Sequence, residues 1–112
     1  MPIIDAANLY GNLNLLILKA LADGSLHGLA IGRRIRALSE DVLQVEEGAL
    51  YPALHRLERD RYLTADWGVS ENNRRAKFYS LTPSGRKLLQ REVENWMRHT
   101  RAVTKVLDAS GA

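Results

Sequence analysis

Apolar residues recur along this chain with a helical period in four stretches and with a strand-like pattern in two. Leu13, Leu16, Ile17, Ala20 and Leu21 stand at offsets 0, 3, 4, 7 and 8, which line one face of an α-helix. A helix is therefore predicted from Asn12, with that asparagine capping its start. Asp23-Gly24-Ser25 ends it, since these residues favour turns. A second helix is predicted over residues 28–38, with Ile31, Ile35 and Leu38 as its apolar face and Arg33, Arg34 and Arg36 largely off it.

A third helix is expected over residues 46–61, striped by Leu50, Leu54 and Leu57. Pro52 lies inside it. An interior proline lacks the donor for the carbonyl four residues back, here that of Gly48, and costs about 3 kcal/mol unless the backbone adapts. Either the glycine gives way and the helix bends, or it divides into two pieces.

Residues 62–69 and 76–81 carry Tyr, Leu, Thr, Trp, Val and Phe around Ser70-Glu71-Asn72-Asn73, the composition of two strands joined by a turn. Thr82-Pro83 opens a last helix, and no further breaker appears before Ser110-Gly111. About 25 residues of helix are predicted there. The resulting order, H-H-H-β-β-H, is mainly α (α+β): a winged helix-turn-helix, in which the third helix reads a DNA groove and the hairpin touches flanking backbone. Residues 1–82 would form the DNA-binding domain and residues 83–112 a long C-terminal dimerisation helix.

At 112 residues with 46% apolar and 26% charged content, the chain suits one globular core. The net charge of +3 and a pI near 9.5 are compatible with a polyanionic partner, but such an excess is common in small domains, so charge position must decide. The absence of cysteine removes disulfides, thiolate zinc sites and cysteine nucleophiles together. No long apolar run follows Met1, so a cytoplasmic location without membrane contact is expected. His27, His55 and His99 are too scattered for a zinc motif, and no phosphate loop, nucleophile elbow or carboxylate pair is present. No catalytic residue, metal or cofactor is expected, and Asp5, Asp23, Asp66 and Asp108 read as caps, turns or solvated positions.

Basic residues gather just after the turn, where Asn73, Arg74, Arg75 and Lys77 could reach phosphate oxygens from a projecting hairpin. On the third helix Tyr51, His55, Arg56 and Arg59 lie on or beside the non-leucine face, where side chains could meet phosphate or base edges. Tyr51 is equally readable as core, and Arg59 as a backbone contact or surface charge. Glu46 and Glu47 oppose the helix dipole but repel phosphate. Glu47 therefore reads either as helix-start stabilisation or as a contact to a cytosine amino group. Phe78 and Tyr79 read as wing packing.

In the last helix Leu89, Val93, Trp96, Thr100, Val103 and Leu107 are spaced 4, 3, 4, 3, 4, a heptad seam. Such a helix is about 37 Å long, more than this domain can cover, so its apolar edge is expected to meet a second copy. Ile3, Ile4, Leu9 and Tyr10 could cover the other side. Trp96 sits mid-seam, as interface core or as one wall of a pocket for a small aromatic ligand between two copies. The rival function is a winged helix that docks on proteins without reading DNA; its signature would be a neutral wing.

Four blocks occur in order: Leu15-Leu16-Ile17-Leu18; His27-Gly28 with Ile31; Gly48-Ala49-Leu50-Tyr51-Pro52-Ala53-Leu54 with Leu57-Glu58; and Arg74 through Lys77-Phe78-Tyr79-Ser80-Leu81-Thr82 with Gly85. Together they resemble the PadR family of bacterial transcriptional regulators, over roughly Leu13 to Leu89. The resemblance implies homodimeric repressors on inverted-repeat operators, often released by a small molecule. It also implies that the terminal helix dimerises and that the chain is similar to the short subgroup with a single such helix. The sequence departs from the family pattern at Glu46 and Glu47, where serine or threonine is common, at Ala49, where a hydroxyl is common, and at Asn73 and Arg75, where glycine and proline are usual in the wing. These departures bear on operator sequence, not on fold.

Overall fold

A computed structural model describes residues 9–109. Its elements are α1 (Leu13–Ala20), β1 (Leu26–His27), α2 (Gly28–Leu38), α3 (Glu47–Arg59), β2 (Leu63–Val69), β3 (Arg75–Leu81) and α4 (Pro83–Leu107). All predicted helices and both predicted strands are present. One strand, β1, was not predicted.

Helix α1 lies at the centre, packed against α2, α3 and α4. Burial therefore extends beyond the expected stripe: Leu18 is as fully buried as Ile17, because a helix covered on several sides has no solvent face for an apolar residue to mark. Ile31 from α2, Leu50 and Leu54 from α3 and Leu63 from β2 complete the most deeply buried set with Leu21. Each such side chain gains about 2 kcal/mol by leaving water. Leu9 is buried and Tyr10 packs on this core; Ile3 and Ile4 lie outside the described residues.

Asn12 holds the N-cap position of α1 but makes no capping hydrogen bond, contrary to expectation. At α4 the expected cap forms: the Thr82 hydroxyl accepts from the Gly85 N–H at 3.0 Å and donates to the Arg61 carbonyl at 2.7 Å. Pro52 sits inside an unbroken α3. The division into two pieces is thus excluded.

Helix α3 ends two residues before its predicted end. Arg61 adopts a left-handed φ of 66°, with its N–H on the Glu58 carbonyl at 3.0 Å and the Tyr62 N–H on the Leu57 carbonyl at 2.9 Å, a Schellman stop. Strands β2 and β3 pair antiparallel with Ala65 opposite Tyr79, Trp67 opposite Lys77 and Val69 opposite Arg75. Strand β1 adds to the other edge of β3 through Leu26–Tyr79 and His27–Phe78 pairs, giving the order β1-β3-β2. The hairpin is thus part of a three-stranded sheet near its base and a two-stranded ribbon beyond it.

Candidate nucleic-acid interface

Along α3 the residues Glu47, Tyr51, His55 and Arg59 follow at intervals of four, one ridge on the side away from the leucine stripe. Tyr51 is half-buried because the hydroxyl end of its ring lies close to Gly28, where a Cβ would come within 2.6 Å of it. It therefore both packs and faces outward. Burial, and secondly the charge of Glu47, push its phenol above the ordinary value, so it remains a protonated donor. His55 is exposed beyond it.

The wing stands across from this ridge. Between them lies a groove of about 760 Å³ lined by Tyr51 and His55 from α3, Leu29 and Arg33 from α2, and Trp67, Arg74, Arg75 and Lys77 from the wing. Of the residues singled out from sequence, the fold brings Tyr51, His55, Arg74, Arg75 and Lys77 together here. Arg56 faces a separate hollow with Tyr10, Asn12 and Pro52. Glu47 lines a third, beside Arg33, Arg36 and Gln44. Asn73 sits in the turn with φ 57°, a left-handed conformation that asparagine tolerates better than most residues.

Ion pairing separates the basic residues that composition could not rank. Arg34 pairs with Asp23, Arg36 with Asp41 and Arg59 with Asp60, at 3.0–3.1 Å. Lys77 does not stand at the tip with the arginines: its ammonium lies 2.9 Å from a Glu58 carboxylate oxygen on α3, and that bond raises its affinity for the proton. Among the described residues Arg74 and Arg75 are in no ion pair. Arg75 instead stacks over Trp67, 4.7 Å from the ring centroid, a contact that orients the guanidinium without neutralising it.

Trp67, Arg33 and a Glu71–His27 contact were not singled out from sequence. Trp67 was readable, because strand alternation places 67, 69, 75 and 77 on one face of the hairpin. The Glu71 carboxylate accepts from Arg33 Nη1 at 3.2 Å and from His27 Nε2 at 3.1 Å. Its own backbone N–H, and then the His27 bond, hold it below the ordinary carboxyl range. His27 caps α2, its Nδ1 accepting from the Ala30 N–H at 3.3 Å, so in this geometry Nε2 carries the proton. Phe78 packs edge-on against His27 at 5.4 Å and lies against Gly68, the wing-packing role expected of it; Tyr79 is buried in the core.

Among the described residues, only the first turns of α4 touch the domain: Gly85 and Leu88 are buried, Leu89 packs on the core and Val93 is half-buried. Beyond them Trp96, Thr100, Val103 and Leu107 are exposed, and Met97 and Val106 widen the apolar edge past the predicted seam. The molecule is drawn out to 59 Å along its long axis.

Three helices, a basic wing and a groove between the third helix and that wing define a winged helix-turn-helix protein. Residues 17–91 match the Transcriptional regulator PadR-like family, and the chain belongs to that family of transcriptional regulators. A transcriptional regulator of Mycobacterium tuberculosis is 38% identical over 73 residues, 65% of this chain and 64% of that protein. A 37.1 kDa transposon protein of Streptomyces fradiae is 42% identical over 84 residues, of which this chain spans 23% of the length. Among solved structures, a transcriptional regulator from Clostridium thermocellum superposes with a TM-score of 0.82 at 28% identity, covering 92% of this chain and 97% of that one. A PadR-like regulator of Bacillus cereus shares the fold at 0.80 and 21% identity, over 94% and 100% of the two chains.

Proposed function

We propose that the protein represses transcription by binding an inverted-repeat DNA operator as a homodimer. The observation that carries this is the pair of unneutralised arginines, Arg74 and Arg75, on the wing beside the outward ridge of α3. Residues 1–82 are the reading head and residues 83–112 the dimerisation helix. Helix α3 enters the major groove with Tyr51 and His55 at base edges. Glu47 accepts from a cytosine amino group or serves only the helix start. Arg56, Arg59 and Asn73 lie outside the groove and are placed for backbone contacts at most. Lys77 orders the wing through Glu58 and adds little attraction of its own. The DNA strand between the two elements occupies the groove, and two heads read half-sites about 34 Å apart.

The test is fluorescence anisotropy with the duplex upstream of the protein's own gene, titrated over salt. Arg74→Ala with Arg75→Ala should lower the slope of log affinity against log salt by about 2, from about 0.9 per phosphate neutralised, with similar losses on all sequences. An unchanged slope would show that the wing does not touch DNA and would favour the protein-docking alternative.

A small aromatic ligand releasing the operator is the finer part of this reading. It is supported by Trp96, exposed at mid-seam with His99 tilted 6.2 Å from its ring, so that two copies would bring two indoles together. Tryptophan emission of the dimer should be quenched saturably by some planar aromatic compounds. Silence across a broad panel would leave Trp96 as interface core alone.

A further inference from the structure

Beyond the reach of β1, which pairs only with Phe78 and Tyr79, the hairpin is a two-stranded ribbon, and ribbons of that kind twist readily. Its direction nevertheless decides where Arg74 and Arg75 point. Two contacts outside the ladder brace it. Lys77–Glu58 holds the middle of the ribbon to α3. The other is at the turn itself, where the two oxygens of Glu71 take different donors on α2: Arg33 in its second turn and His27 at its N-cap.

We infer that Glu71 is a positioning residue for the wing: shared between Arg33 and His27, its carboxylate ties the turn to α2 and sets the direction in which Arg74 and Arg75 leave the hairpin. This rests on the reading of the wing as a DNA contact. Each end of the tie is itself fixed. His27 is held by the Ala30 N–H, by Phe78 against its ring and by its strand pairing. On the other side the turn is closed by the Ser70 N–H to the Arg74 carbonyl at 2.8 Å and the Asn73 N–H to the Ser70 carbonyl at 2.9 Å. Placing Glu71 therefore places Arg74, three residues on.

A carboxylate on Arg33 could instead stand in for a DNA phosphate and be pushed aside on binding. Burial argues against that. The His27 side chain is only 7% exposed, so a departing Glu71 would leave a nearly buried donor unsatisfied. The tie stays closed when DNA binds. An acidic residue beside the phosphate path thus helps binding, a sign opposite to what its charge alone would give.

Glu71→Ala combined with Arg33→Ala keeps the net charge of the full-length protein, and because Arg33 itself lines the groove, Arg33→Ala alone is the control: with Glu71 still held by His27, it should lose clearly less binding than the double variant. On the duplex upstream of the gene this double variant should bind about tenfold more weakly than wild type, with a salt slope lower by about 1, half the loss expected for Arg74→Ala with Arg75→Ala. In the DNA-free protein the Asn73 amide should exchange its hydrogen several-fold faster, while circular dichroism stays unchanged because both replaced side chains are mostly exposed. Wild-type affinity in the double variant overturns the inference. So does tighter binding with a steeper slope in Glu71→Ala alone, the mark of a phosphate stand-in. If Arg74→Ala with Arg75→Ala leaves binding untouched, the wing reading itself fails and the inference falls with it. Faster Asn73 exchange would then show that the tie exists without a part in DNA binding.

Discussion

Gly85→Ala should destabilise the protein by on the order of 3 kcal/mol, the upper range for overpacking, and lower its melting temperature by roughly 10–20 °C. A Cβ at this position would collide with the Tyr62 carbonyl oxygen. That oxygen is main chain and already accepts from the Thr82 N–H at 3.1 Å, so no rotamer change relieves the clash. The site lies where α3, the wing and α4 converge, and the capping bond from the Gly85 N–H to Thr82 would be disturbed as well. Thermal melting followed by circular dichroism measures the effect. A midpoint within about 2 °C of wild type would mean that the α4 junction is looser than this packing requires.

Trp96→Glu combined with Val103→Glu should produce folded monomers. Both residues are 41% exposed on a stretch of α4 beyond its contact with the domain, so the charges cost the single copy little. In a seam between two copies they would bury like charges without partners, which costs several kcal/mol per ion. Light scattering should report a mass falling from twice 12.6 kDa to 12.6 kDa. Operator affinity should fall by at least about 100-fold, because the second head then binds without the effective concentration of a linked pair. A variant that stays dimeric would move the interface off this edge of α4.

The helices were legible where one rule acts alone. Thr82-Pro83 fixed the start of α4 because the cap and the proline agree, and the structure follows them to the residue. The stop of α3 was misplaced because Arg61 holds a left-handed turn that glycine usually marks, and Glu40 and Asp41 do the same after α2. Arg61 and Glu40 carry no side-chain signal for it, whereas Asp41 belongs to the few residue types enriched in that conformation. Strand β1 escaped because two residues carry no period; it exists only where β3 offers a free edge. Leu18 escaped because a stripe rule presumes a single covered face.

The candidate interface divides in the same way. Arg74 and Arg75 were found from local clustering. Lys77 belonged to the same cluster in sequence, yet it stands two residues nearer the base of the ribbon than Arg75, on the same face, where it meets Glu58, 19 positions earlier. His27 and Glu71 are 44 positions apart, and no local pattern joins them. What sequence could not supply was pairing between distant charges, and that pairing decides which cations stay available.

Between Arg86 and Leu107 helix α4 holds neither glycine nor proline, so it transmits rotation with little bending. The 11 residues from Gly85 to Trp96 make a lever of about 16 Å at 1.5 Å per residue. A turn of about 10° at the seam would swing each head by about 3 Å at the far end of that lever. Hydrogen bonds to base edges tolerate only a few tenths of an ångström. In the proposed dimer, then, a small change in how two copies of Trp96 pack is enough to carry the reading helices out of register with their half-sites, with no rearrangement inside either head.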